Sequence, residues 1–211
     1  MNSSRRSLAP FVLLLLPVSL RAQGADWIRA NYTKREFEIP MRDGVRLFTA
    51  VYSPKDETKR YPILLRRTPY SVSPYGVDKV PASLGPSEVL AKEGFIFALQ
   101  DVRGRYGSEG KFEHMRPYRP GKKGQEIDEA SDTYDTIEWL LAHVPGHNGR
   151  VGMWGISYPG FYAAMGAIDA HPALKAVSPQ APVCDWFVGD DWRQNGALFL
   201  GSARPSHLNE Y

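Results

Sequence analysis

Gly155-Ile156-Ser157-Tyr158-Pro159-Gly160 places a serine two residues after one glycine and three before another, close to the pattern G-x-S-x-G but with Pro159 where its second glycine would stand. A chain of ordinary composition and this length shows on the order of 0.1 matches by chance to a serine with two glycines so spaced, so the setting decides what the motif means. Val151–Trp154 before it reads as a buried strand, and Phe161–Ala170 after it reads as a helix. On a strand–turn–helix corner a serine is held in a strained backbone conformation with its hydroxyl exposed, ready to attack a carbonyl. The glycines serve the same geometry, because helix and strand pack there with no room for a Cβ. The plainer alternative is an ordinary βα turn in which Ser157 caps the helix.

If Ser157 attacks a carbonyl, the oxyanion that develops needs donors, and on such a corner the backbone N–H of the next residue, Tyr158, supplies one. A second comes from the loop after the third strand, which begins Arg66-Arg67-Thr68-Pro69-Tyr70 and offers the Tyr70 hydroxyl where an N–H is more usual. On residue chemistry alone Tyr70 is equally a packed surface aromatic. The expected partner is a small-molecule ester or amide. The chemistry is acyl transfer through a covalent intermediate, with no cofactor and no metal. Glycines 104, 107 and 110 match neither the dinucleotide fingerprint nor the P-loop. Cys184 is the only cysteine, so no disulfide or zinc spacing arises, and it reads as packing.

Catalysis of this kind also needs an acid and a histidine, in the chain order Ser…Asp/Glu…His. His171 lies in a helix-to-strand turn ahead of Pro172, and His207 lies in a polar tail. Neither is placed as a base, and His114, His143 and His147 precede the nucleophile. The expectation is that acid and base lie beyond Tyr211, so that residues 25–211 are the front part of a catalytic domain and are inactive alone.

The elements that must position these residues begin with β-type runs at Glu36–Pro40, Val45–Ser53 and Tyr61–Arg67, with Asp43-Gly44 as a hairpin turn. A helical stretch over Ser87–Glu93 leads to the strand Phe95–Gln100, and Glu129–His143 has apolar residues at helical spacing. Strands follow at Val151–Trp154 and Leu174–Ser178. Antiparallel strands followed by βαβ units predict an α/β fold with a mixed, mostly parallel sheet and helices on both faces, reaching about six strands by Ser178. The 116–125 loop reads as a solvated excursion, and Arg103 and Arg105 as partners of acids that the sequence does not identify.

The N-terminus carries Arg5 and Arg6, an apolar run Leu8–Leu20 too short to span a bilayer, and small residues at Ala22–Ala25. This is the build of an export signal over residues 1–24, by the general secretory or the twin-arginine route, and it implies a periplasmic or secreted protein. With 43% hydrophobic and 12% aromatic residues, the rest is expected to form a folded domain. Removing residues 1–24 leaves 23 basic and 23 acidic side chains. No basic stripe points to nucleic acid, and no membrane span is expected after signal removal. A homo-oligomer is compatible with the composition.

Several blocks together resemble the Xaa-Pro dipeptidyl-peptidase-like hydrolases, which include cocaine esterase and the glutaryl-cephalosporin acylases. They are Met41-Arg42-Asp43-Gly44-Val45-Arg46-Leu47, Arg67-Thr68-Pro69-Tyr70, Gln100-Asp101-Val102-Arg103-Gly104, and Asn148-Gly149-Arg150-Val151-Gly152-Met153 running into the serine motif. Leu84-Gly85-Pro86-Ser87-Glu88, Val144-Pro145 and Gly189-Asp190-Asp191-Trp192 look most like the α-amino acid ester hydrolases. The resemblance implies an α/β-hydrolase fold truncated after about strand six, with a helical cap and a β-sandwich domain further on. It implies Tyr70 and Tyr158 as oxyanion donors. It also implies that Asp191 is the first carboxylate of a cluster receiving the substrate's α-ammonium, against a solvated turn or a helix cap as the plainer alternatives. The activity it implies is acyl transfer from α-amino acid esters and β-lactam side-chain amides. A Xaa-Pro dipeptidyl peptidase or a general carboxylesterase is the alternative within the family, and a non-catalytic binding protein the alternative outside it.

Overall fold

The computed structural model describes residues 24–183, together with the short stretches 189–190, 193–195 and 197–198. The proposed signal, Cys184, Asp191 and His207 therefore lie outside the described residues, apart from Gly24 at the signal's end.

A short helix, α1 (Ala25–Asn31), which was not expected from the sequence, runs straight into β1 (Tyr32–Pro40). That strand starts at Tyr32, four residues before the Glu36 expected, and Lys34 within the added stretch is buried. Its ammonium donates to the carbonyls of Pro74, Gly76 and Lys79 at 2.6, 3.0 and 3.0 Å and pairs with Glu36 at 2.7 Å. β1 and β2 (Arg46–Pro54) form the expected antiparallel hairpin, closed by the Met41 N–H on the Val45 carbonyl at 2.8 Å.

The remaining elements are β3 (Tyr61–Thr68), α2 (Glu88–Glu93), β4 (Ile96–Asp101), α3 (Glu129–His143), β5 (His147–Ile156), α4 (Tyr158–Gly166) and β6 (Leu174–Gln180). The sheet runs β1-β2-β4-β3-β5-β6, antiparallel through β1, β2 and β4 and parallel from β4 onward. From β3 the chain steps through α2 to β4 on one side, then crosses through α3 to β5 on the other. The order therefore reverses at β3, and a ligand crevice belongs at the carboxyl ends of β3 and β5. Two-residue strands β7 (Gly189–Asp190), β8 (Arg193–Gln194) and β9 (Ala197–Leu198) make a small antiparallel sheet.

Alternation along the strands splits the core between the two faces. Ile63 and Leu65 of β3 pack with Ile137 and Leu140 of α3 and with Tyr162 and Ala163 of α4. Leu64 packs on the other face with Ile28 of α1, Ala91 of α2 and Trp154. The start of α3 is fixed by a reciprocal cap: the Asp128 carboxylate accepts the Ser131 N–H at 2.7 Å, and the Ser131 hydroxyl accepts the Asp128 N–H at 2.8 Å. Such a cap is worth about 1 kcal/mol. α4 starts directly after Ser157 and ends at Gly166, before the Ala170 expected, and the turn that follows puts Asp169 at φ +50°. Among the described residues, no helix is long and apolar enough to cross a membrane.

The 116–125 loop is less solvated than expected. Arg116 is buried and donates to Glu113 at 3.0 Å, and Lys122 pairs with Asp128 at 3.2 Å and Asp169 at 2.9 Å.

Candidate active site

Ser157 stands between β5 and α4 with φ 60° and ψ −120°, a conformation that costs a non-glycine residue on the order of 1–3 kcal/mol. It is held there by two backbone bonds. The Ser157 N–H donates to the Gln180 carbonyl at the end of β6 (2.9 Å), and its carbonyl accepts from the Phe161 N–H (3.1 Å). A Cβ on Gly155 would meet the Pro159 carbonyl oxygen at 2.0 Å, and one on Gly160 would meet the Gln180 oxygen at 2.7 Å. The turn therefore closes only with glycine at both places. The Ser157 side chain makes no capping bond to α4, and the residue is exposed. The helix-capping alternative does not hold.

Tyr158, the first residue of α4, is buried. Its ring stacks on Tyr162 with centroids 5.3 Å apart and planes at 12°. The loop after β4 holds its hydroxyl, which accepts the Met115 N–H at 3.0 Å and lies 2.9 Å from His114 Nδ1.

Tyr70 follows β3, whose carboxyl end lies beside that of β5. Its ring is 48% exposed and meets the Tyr158 ring edge-on, with centroids 6.0 Å apart and planes at 84°. The Tyr70 N–H donates to Thr68 Oγ1 at 3.1 Å. The rest of this loop is anchored on Asp101, the last residue of β4, whose buried carboxylate accepts the Val72 N–H at 2.9 Å, the Tyr75 hydroxyl at 2.8 Å and the Gly107 N–H at 3.2 Å. Burial raises the Asp101 carboxyl above its ordinary value, although these donors and Arg105 pull the other way. Arg105 Nε donates to the Pro69 carbonyl at 3.2 Å, next to Tyr70.

Behind the aromatic rings lies a buried ionic cluster. Arg67, fully buried, donates to Gln100 Oε1 at 2.8 Å and the Glu129 carbonyl at 2.9 Å, and its guanidinium sits 5.7 Å from the Tyr162 ring centre. It pairs with the Glu129 carboxylate at 3.2 Å and with Asp132 at 3.5 Å. Asp132 in turn accepts from Arg103, which reaches Asp43 on the β1–β2 turn, each at 2.7 Å. The unidentified partners of Arg103 are thus Asp132 and Asp43. Burial raises the Glu129 carboxyl to about 7, outweighing the attraction of Arg67.

The structure brings Ser157, Tyr158 and Tyr70 together at one end of the sheet. His171 precedes β6, His147 opens β5 and His143 ends α3, all at the amino end of the parallel strands. There His171 pairs with Glu138 at 2.7 Å, His147 bonds the Leu141 carbonyl at 2.9 Å, and His143 bonds the Trp139 carbonyl at 2.8 Å. His114, which no sequence pattern placed here, is the histidine beside Tyr158. Its signal was weak because the loop from Val102 to Ile127 has no periodicity that fixes where it folds back.

Residues 43–207 match the model of the X-Pro dipeptidyl-peptidase (S15) family. The chain belongs to this family. Cocaine esterase from Rhodococcus sp. (strain MB1 Bresler) is 32% identical over 162 residues, which is 76% of this chain and 25% of the esterase. An aminopeptidase from the marine sediment archaeon Thaumarchaeota archaeon superposes with a TM-score of 0.73 and 38% identity, over 85% of this chain and 30% of that one. An α-amino acid ester hydrolase gives a TM-score of 0.70 and 39% identity, over 92% of this chain and 31% of that one. The sheet order and these two structures establish the α/β-hydrolase fold expected from the sequence. The chain thus spans under a third of the length of each of these three relatives.

Proposed function

We propose that the full-length protein is a serine hydrolase that transfers the acyl group of α-amino acid esters and related amides through an acyl-enzyme on Ser157. The observation that carries this reading is the strained, exposed Ser157 on its elbow, with Tyr158 behind it and the Tyr70 ring across from the neighbouring strand. Strain of this kind at an exposed serine supports a nucleophile elbow, where it presents the hydroxyl for attack.

The substrate carbonyl carbon accepts the Ser157 Oγ while the hydroxyl proton passes to a base in sequence outside the described residues. The carbonyl oxygen becomes an oxyanion held by the Tyr158 N–H and the Tyr70 hydroxyl. Collapse of the adduct releases the alcohol or amine with a proton. Water, or a second amine, then attacks the acyl-enzyme by the same route and frees Ser157.

For the acyl group, two of the similar structures are informative. One is called an aminopeptidase and the other an α-amino acid ester hydrolase, and both names point to substrates with an α-amino group, which supports an ammonium subsite. Asp191 is proposed as part of it, because an ammonium taken out of water needs anionic acceptors. The aminopeptidase also favours a second reading, cleavage of an N-terminal residue from a peptide. Comparing kcat/KM for a phenylglycine methyl ester and for a short peptide separates the two. Residues 1–24 are proposed as an export signal, testable by N-terminal sequencing of the mature protein.

Ser157→Ala in the full-length protein is expected to reduce kcat on the order of 10⁶-fold with unchanged folding. Turnover near the wild-type level would remove the nucleophile assignment.

A further inference from the structure

Tyr158 is attached to the fold at both ends. Its backbone belongs to the elbow, and its hydroxyl is bonded to residues of the long loop between β4 and α3. At Met115 that loop adopts φ +48°, a left-handed conformation unusual for a side chain of this size, and there its N–H meets the Tyr158 hydroxyl at 3.0 Å. With one lone pair of the hydroxyl occupied by Met115, its O–H and its second lone pair remain to bond His114 Nδ1, 2.9 Å away, as donor or acceptor according to the imidazole tautomer. The two rings are also packed edge to face, 5.2 Å apart at 77°. Burial holds the His114 imidazole below its ordinary value, which favours the neutral ring. Tyr162 stacks on one face of the Tyr158 ring, and Tyr70 meets the same ring edge-on.

We propose that His114 is a positioning residue: by holding the Tyr158 hydroxyl it fixes the ring against which Tyr70 rests, and so sets both oxyanion donors from one anchor. The inference rests on the acyl-enzyme reading above and adds to it a residue that touches neither substrate nor nucleophile. A loosened Tyr158 ring lets the Tyr70 hydroxyl drift and, through the first turn of α4, the Tyr158 N–H as well. The oxyanion, formed only in the transition state, loses more than the bound ester does.

The test uses the full-length protein and p-nitrophenyl butyrate, an uncharged ester that makes no demand on an ammonium subsite. His114→Leu is expected to lower kcat about tenfold with KM within about twofold of wild type, as for a donor displaced rather than removed. His114→Asn, whose amide can meet the Tyr158 hydroxyl as acceptor or donor in place of Nδ1, is expected to restore most of that loss. Tyr158→Phe keeps the backbone N–H but removes the hydroxyl's bonds to both His114 and Met115, so it should lose at least as much as His114→Leu. The double variant should lose no more than Tyr158→Phe alone, because that variant has already removed the bond to His114. Wild-type kcat in His114→Leu, losses that multiply in the double variant, or equal losses for Leu and Asn would each overturn the proposal. Should His114→Leu not fold, a near-normal His114→Asn beside an impaired Tyr158→Phe supports it, and any other pairing overturns it. Ser157→Ala, run in parallel, reports separately on the acyl-enzyme reading.

Discussion

Tyr70 and Tyr158, which follow different strands, meet edge to face with ring centroids 6.0 Å apart and planes at 84°. Parallel pairing of β3 with β5 brings their carboxyl ends side by side, so a residue just past each strand faces the same crevice. If the Tyr70 hydroxyl donates to the oxyanion, Tyr70→Phe keeps the ring contact and removes only the donor. We expect kcat to fall roughly 10²–10³-fold with little change in KM. Steady-state kinetics showing an unchanged kcat would return Tyr70 to packing.

Asp101 ties the Tyr70 loop to the end of β4 through the Val72 and Gly107 N–H groups and the Tyr75 hydroxyl. Asp101→Asn exchanges one acceptor oxygen for a donor facing other donors. Chemical denaturation should show a loss of about 1–3 kcal/mol, accompanied by a lower kcat as the Tyr70 loop loosens. Full stability together with full activity would mean that the loop is held by other contacts.

Glu129 makes stability depend on pH in a direction that can be worked out. Its carboxyl is raised from an ordinary 4.5 to about 7 by burial, so between those values the folded protein holds a proton that the unfolded chain has lost. Its contribution therefore falls as pH rises through that window and is already lost above it. Glu129→Gln cannot ionise and should gain stability relative to wild type from about pH 4.5 to about pH 7. Parallel pH dependences of the two unfolding free energies would show that Arg67 keeps Glu129 ionised throughout.

Asp191 separates the narrow substrate reading from the broad one. In the full-length protein, Asp191→Asn should raise KM for phenylglycine methyl ester and leave the matching ester without the amino group nearly unaffected. Losing one member of a buried charge pair costs about 2–5 kcal/mol, less where a second carboxylate remains. Equal effects on both esters would reduce the assignment to plain esterase.

Elements with local signals are legible in the residues alone. The corner around Ser157 is legible because glycine is required at 155 and 160, where a Cβ would meet backbone oxygen at 2.0 and 2.7 Å, and α3 is legible with its observed bounds, Glu129–His143, because helical periodicity repeats within a few residues. The α/β class followed from the order of strands and helices. Tertiary structure decided which strands are neighbours, and hence that Tyr70 and Ser157 share one end of the sheet while His143, His147 and His171 sit at the other. It also decided the partners of the buried charges. Lys34, Arg67 and Arg103 read as solvated or unassigned in sequence, because a charged side chain carries no local mark of burial. Their acceptors come from distant segments: the carbonyls of Pro74, Gly76 and Lys79, and the carboxylates of Asp43, Glu129 and Asp132. His114 belongs with them, since an aperiodic loop reveals where it folds back only once Tyr158 is there to receive it.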